Sequence, residues 1–180
     1  MKIDAYEKLF LGLTVVALAC FMGALAAAVN RHGIRLPHPT ARVDPAALRA
    51  APPPPFDQLG LVDKGGGAYD LNLLAAMWQY EPFFPDKMEA GVRVPAGATV
   101  TFNVSSPDVI HGFKIKDTNV NVMVIPGQVS TVTHTFDAPG VYTVLCHEYC
   151  GAGHHRMYFK LHVDPPAAAG ADAGRAGGES

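Results

Sequence analysis

The stretch C-H-E-Y-C-G-A-G-H-H-R-M, Cys146 to Met157, decides how the rest of the chain is read. It places two thiols four residues apart, an imidazole four further on at His154, and a thioether three beyond that at Met157. Thiolate, imidazole and thioether are soft to borderline donors. That set suits copper, particularly copper moving between Cu(I) and Cu(II), and a hydrolase has little use for the thioether. A second imidazole is available at His111, 35 residues upstream in S-P-D-V-I-H-G-F, at what reads as the end of a strand. A Cys146–Cys150 disulfide is the competing reading, and it leaves the nearby His and Met without a purpose. With three cysteines in all, no disulfide framework is available.

Working outward, short runs of Val, Thr and Phe alternate with Pro/Gly turns from Tyr69 onward, the pattern of an antiparallel sandwich or barrel. Strands are expected near Tyr69–Tyr80, Met88–Val94, Thr99–Ser105, Ile110–Lys114, Val120–Ile125, Ser130–Phe136, Val141–Leu145 and Met157–Val163. Pro95-Ala96-Gly97, Pro126-Gly127 and Pro139-Gly140 mark turns between them. Phe102, Val104, Val122, Val124, Val132, Phe136, Tyr142 and Val144 alternate as one buried face would. A segment of about 95 residues is enough for a single core.

Before the sandwich, Leu9 to Val29 carries no charge and is long enough to cross a hydrocarbon core of ~30 Å. A cleaved signal peptide has a shorter apolar core, of about 7–15 residues, so the run reads as an uncleaved transmembrane anchor, residues 1–31. Lys2 and Lys8 before it and Arg31, Arg35, Arg42 and Arg49 after it do not settle its orientation. Residues 32–68 read as a Pro-rich linker, with Asp44 to Ala51 as a short helix inside it and Gly65 to Gly67 as a flexible joint. His32 and His38 read as solvated. Residues 165–180, rich in Pro, Ala and Gly, read as a disordered tail. A formal net charge of −2 argues against nucleic acid as a partner.

The motifs S-P-D-V-I-H-G-F, T-N-V-N-V, P-G-Q-V-S-T-V, P-G-V-Y-T-V-L-C and C-x-x-x-C-x-x-x-H-x-x-M resemble subunit II of the haem–copper cytochrome c oxidases, with the B-type (ba-type) branch as the nearer likeness. The resemblance runs from about Val92 to Val163. It implies an all-β, cupredoxin-like Greek-key sandwich at residues 69–164, behind one N-terminal transmembrane helix. It also implies two copper ions in a binuclear CuA centre, bridged by Cys146 and Cys150 and capped by His111 and His154. Met157 and the Glu148 backbone carbonyl would be weak ligands. Of the other histidines, His155 reads as a polar neighbour, His147 as facing away, and His134 and His162 as surface or packing residues.

By the same resemblance the chain is the part of a terminal oxidase that accepts electrons from cytochrome c and passes them to the haems of subunit I. Its copper domain would then lie on the periplasmic side of the cell membrane. Trp78, the only tryptophan, is either the residue where electrons enter or a core residue of the first strand. Asp86, Asp108, Asp117 and Glu148 are the acidic residues available to attract a basic cytochrome c. A CuA subunit of a nitric-oxide reductase differs only in its partner's chemistry. A membrane-tethered copper carrier is the alternative from another class.

Overall fold

The computed structural model describes residues 4–32, 39–83 and 89–165. The chain divides into two compact units, Met1–Leu36 and Pro37–Ser180. In the first, α1 (Ala5–His32) is 28 residues long, or about 42 Å at 1.5 Å per residue. Its most apolar 18 residues have a mean hydropathy of 2.4, and the helix is long and apolar enough to cross a membrane. The helix starts where its first N–H groups find partners. Asp4 Oδ1 accepts from Tyr6 N–H and Glu7 N–H, while Glu7 Oε2 accepts from Asp4 N–H, a reciprocal capping box.

In the second unit the strands are β1 (Pro39–Arg42), β2 (Gly60–Gly65), β3 (Ala68–Ala76), β4 (Gln79–Glu81), β5 (Val92–Pro95) and β6 (Ala98–Ser105). They continue as β7 (His111–Ile115), β8 (Asn121–Val124), β9 (Gln128–Phe136), β10 (Gly140–Leu145) and β11 (Tyr158–Asp164). A single helical turn, α2 (Ala47–Ala50), lies between β1 and β2. One sheet runs β1-β9-β6-β3-β2, with β4 folded back on β3; the other runs β5-β11-β10-β7-β8. The pairing β3 with β6 and that of β5 with β11 are parallel, and the rest are antiparallel. The result is a two-sheet β-sandwich.

Period-two patterning builds the core. On β6, Ala98, Val100, Phe102 and Val104 face inward, against Phe113 and Ile115 of β7, Val144 of β10, and Phe159 and Leu161 of β11. Burying each large side chain contributes about 1.5–3 kcal/mol. The expected face is borne out, with Val132 and Tyr142 partly buried at its margin.

The segment read as a linker is the main correction. Residues 39–42 pair with β9, and residues 60–65 pair with β3. Between them Val43, Leu48, Phe56 and Leu59 pack on Leu74 and Val129, forming a second small core on the outer face of the first sheet. That is why Leu71 to Ala76 is buried on both faces instead of alternating. The short helix expected over Asp44–Ala51 is only Ala47–Ala50, with Ala46 at its N-cap; Asp44 stands in the turn before it, its Oδ1 accepting from Ala46 N–H. Gly65, Gly66 and Gly67 form the tight β2–β3 turn, all at positive φ, so they are a hairpin and not a free joint. The single strand expected over Tyr69–Tyr80 is broken at Met77-Trp78, because β4 turns back to pair Leu74↔Glu81 and Ala76↔Gln79. The start of the strand expected at Met88, and the readings placed on His38, Asp86 and residues 166–180, lie outside the described residues.

Candidate metal centre

The site sits where two loops meet at one end of the sandwich. His111 is the first residue of β7 and is wholly buried. The loop Cys146–Met157 joins β10 to β11. Its base is pinched by the Leu145↔Tyr158 pairing and by Cys146 N–H donating to the Met157 carbonyl. Within it, Gly151 takes φ +116°, a conformation side chains avoid, and a 3-10 turn follows at His154–Arg156. The turn aims His154 inward and leaves His155 and Arg156 exposed.

His111, Cys146 and Cys150 bring their ligating atoms within 4.8 Å of one another. The two Sγ atoms are 3.8 Å apart, far beyond the ~2.05 Å of a disulfide, and both thiols are free. His111 Nδ1 lies 3.9 Å from Cys146 Sγ, and His154 Nδ1 lies 3.5 Å from Cys150 Sγ, so one imidazole stands beside each sulfur. Met157 Sδ is 3.8 Å from Cys150 Sγ. The Glu148 carbonyl oxygen is 3.2 Å from Cys146 Sγ. A metal–thiolate bond of ~2.3 Å lets one ion reach both sulfurs at this separation. The donor set of two thiolates, two imidazoles, a thioether and a carbonyl fits copper.

The electrostatics favour one ionised thiol in the metal-free site. Burial pushes Cys146 up, but hydrogen bonds from the His111 ring and the Gly112 N–H outweigh it and bring the thiol down to about 7. Burial and the neighbouring Cys146 thiolate push Cys150 up to about 12. The pair shares a proton because two negative charges cannot sit so close without a cation between them. A bound metal supplies that cation and ionises both.

The surrounding residues are placed by the same two loops. Trp78 is not a core residue: it sits in the β3–β4 turn, 38% exposed, and its Nε1 donates to the Cys150 carbonyl at 3.1 Å. The indole lies flat enough against the ligand loop that a Cβ on Gly153 would stand 2.5 Å from its ring. Buried Tyr80 donates to the Gly112 carbonyl, and Gly112 N–H in turn donates to Cys146 Sγ. His147 packs over Gly112, which has no room for a Cβ, and it stays outside the ligand cluster. His134 meets Phe136 edge-on, and His162 bonds the Glu89 carbonyl, both in strands as expected. Sequence reading gave Asp108 a role only as surface charge. Its carboxylate instead accepts from His111 Nε2 at 2.8 Å and from Met77 N–H at 2.9 Å. The signal that could have found it is its position three residues before a ligand histidine, since ligating histidines commonly hand their second nitrogen to a carboxylate.

Fold and site together define a two-sheet β-sandwich domain with a candidate soft-donor metal centre, preceded in the chain by an apolar helix of membrane-spanning length. Residues 85–163 match the family described as cytochrome c oxidase subunit II, periplasmic domain. A cytochrome c oxidase subunit 2 of Thermus thermophilus is 38% identical over 156 residues, covering 86% of this chain and 89% of that one. A further Thermus thermophilus subunit 2 is 42% identical over 117 residues, covering 65% of this chain and 82% of that one. A chain of a solved haem–copper terminal oxidase dimer superposes with a TM-score of 0.69 at 36% identity, over 88% of this chain and 99% of that one. The chain belongs to the cytochrome c oxidase subunit II family.

Proposed function

We propose that this chain is the electron-accepting subunit of a terminal haem–copper oxidase. It would hold two copper ions as a binuclear CuA centre, take electrons from cytochrome c, and pass them to the haems of a membrane subunit I. Oxygen reduction would take place in that partner and not here. The observation that carries the reading is the pair of free thiols 3.8 Å apart with one imidazole beside each. Bound copper would supply one-electron redox chemistry.

The protein's own residues do the rest. Cys146 and Cys150 would bridge the ions, His111 and His154 would each cap one through Nδ1, and Met157 Sδ and the Glu148 carbonyl would bind weakly from either side. All of them are fixed by a β-scaffold before any metal arrives, so the ligands have little room to move when the charge changes. Burial keeps water from the sulfurs: Cys146 is 5% exposed, Cys150 6% and Met157 1%. Such a closed site suits electron transfer better than a carrier, which has to release its cargo. No observation favours a nitric-oxide reductase over an oxidase.

Trp78 is the residue proposed to receive the electron, supported by its exposure and its bond to the Cys150 carbonyl. Met77, Val109, Ile110 and Tyr149 are exposed apolar residues on the same turn and loops, and offer a docking rim around it. The helix α1 would anchor the chain, with the copper domain periplasmic. That placement is supported by the relatives' family and by the redox chemistry of the site.

The test is metal analysis with electron paramagnetic resonance on the purified full chain. Two coppers per chain and a seven-line copper hyperfine pattern are expected, from one electron shared by two equivalent nuclei. Cys146→Ser should collapse the pattern, because a hydroxyl bridges soft copper poorly. One copper per chain with a four-line spectrum would overturn the binuclear reading.

A further inference from the structure

One carboxylate holds together two parts of the site that arrive on different strands. Asp108 lies in the β6–β7 loop, ahead of His111. Its Oδ1 is 2.8 Å from His111 Nε2 and also accepts from Val109 N–H at 2.7 Å and Ser106 Oγ at 3.1 Å. Its Oδ2 accepts the Met77 N–H at 2.9 Å. Met77 opens the β3–β4 turn, and the next residue, Trp78, donates its indole N–H to the Cys150 carbonyl. The turn is therefore fastened at one end to the loop carrying His111 and at the other to the loop carrying Cys146, Cys150 and His154.

We propose that Asp108 is a positioning residue that sets the His111 ring and the Trp78 turn with a single carboxylate. The chemistry follows from what a carboxylate has and an amide lacks. Both Asp108 oxygens accept, so one can take the His111 Nε2–H while the other takes a backbone N–H. In the copper-loaded protein, with its proton held on Nε2, His111 would present an unprotonated Nδ1 to the side where Cys146 Sγ lies. An asparagine would turn an NH2 toward one of these two donors and break one arm. An alanine would break both. The same four donors explain why Asp108 makes a poor docking charge: its lone pairs are directed into the protein, and its side chain is only 22% exposed.

The His111 arm rests on the copper reading above, whereas the Trp78 arm does not. The test therefore uses two probes on the full chain in detergent, with Asp108→Asn and Asp108→Ala. In the metal-free protein, Trp78 is the only tryptophan, so its emission and anisotropy report the turn directly. In the copper-loaded protein, the paramagnetically shifted imidazole resonances report His111 and His154 separately. The expected result for the alanine variant is red-shifted, less anisotropic Trp78 emission together with displaced His111 resonances, and for the asparagine variant movement of the probe on the arm it breaks. His154 resonances and far-UV circular dichroism should stay as in the parent. Copper affinity of the alanine variant should fall by about 10–100-fold. If the alanine variant does not fold, the asparagine variant keeps the proposal testable, since it should move at least the probe on the arm it breaks. Trp78 emission or His111 resonances that stay unmoved in a folded alanine variant, or both unmoved in a folded asparagine variant, overturn the joint role. So does a loss of thermal stability with both probes unchanged. A parent chain that takes up no copper would overturn the function proposed above, and the metal-free fluorescence would still decide whether Asp108 holds the turn.

Discussion

At the scale of single residues, the site is built by groups whose chemistry is soft and whose surroundings are rigid. Met157 illustrates the division of labour. Its thioether is 1% exposed and 3.8 Å from Cys150 Sγ, so it fills space and would be a weak donor to copper. Met157→Leu conserves volume and should cost less than about 1.5 kcal/mol. Losing an electron-pair donor favours the reduced ion, so the reduction potential should rise while both coppers remain. Voltammetry and metal analysis check this, and wholesale copper loss would show that Met157 is a principal ligand. Trp78→Phe keeps a ring over the glycine loop but removes the N–H donated to the Cys150 carbonyl. If electrons enter there, transient kinetics with reduced cytochrome c should slow while the copper absorption stays in place. Unchanged kinetics would leave Trp78 as packing alone.

At the scale of elements, the surprise is how much the proline-rich stretch before β3 contributes. Prolines disfavour helix and central strand, so their density suggests a connector. Prolines are nonetheless compatible with an edge strand, and β1 is the edge of its sheet. The rest of the stretch lays Phe56 and Leu48 over Leu74. Phe56→Ala should destabilise the domain by about 3–5 kcal/mol, since the side chain is 1% exposed and its removal leaves a cavity. The copper spectrum should be unaffected, because Phe56 belongs to the outer small core and the ligands to the inner one. Denaturant melts read the first effect and absorption the second. A stability within about 1 kcal/mol of the parent, on the scale of ordinary surface changes, would mean this cluster is not integral to the fold.

At the scale of the whole molecule, the unit from Pro37 onward contains every strand and every candidate ligand among the described residues. A chain of residues 37–165 should fold as a soluble domain and bind copper without α1. A chain beginning at Tyr69 should not, because it lacks β1 and β2. Its β3 edge would be bare, and Leu74 and Val129 would face water. Circular dichroism melts and sedimentation of the two fragments compare them directly. Equal melting temperatures would show that the sandwich needs only residues 69–165.

The candidate ligands could be picked out in the sequence because metal chemistry dictates donor type and loop length dictates spacing: Cys146, Cys150, His154 and Met157 lie within one loop. The strands from β5 to β11 were legible because one buried face imposes period two, and so was α1, since a bilayer demands an unbroken apolar run. What stayed hidden depends on contacts between distant segments. Leu71 to Ala76 does not alternate, a sign of burial on two faces, but only the folded chain shows that residues 43–59 cover the second one. Nothing in M-W-Q-Y announces a turn, and only the return of β4 onto β3 lifts Trp78 out of the core and lays it on the ligand loop. Asp108 is one acidic residue among sixteen in composition. Its place between His111 and Met77 exists only once two strands are side by side, because hydrogen bonds act over ångströms and the sequence records neighbours along the chain alone.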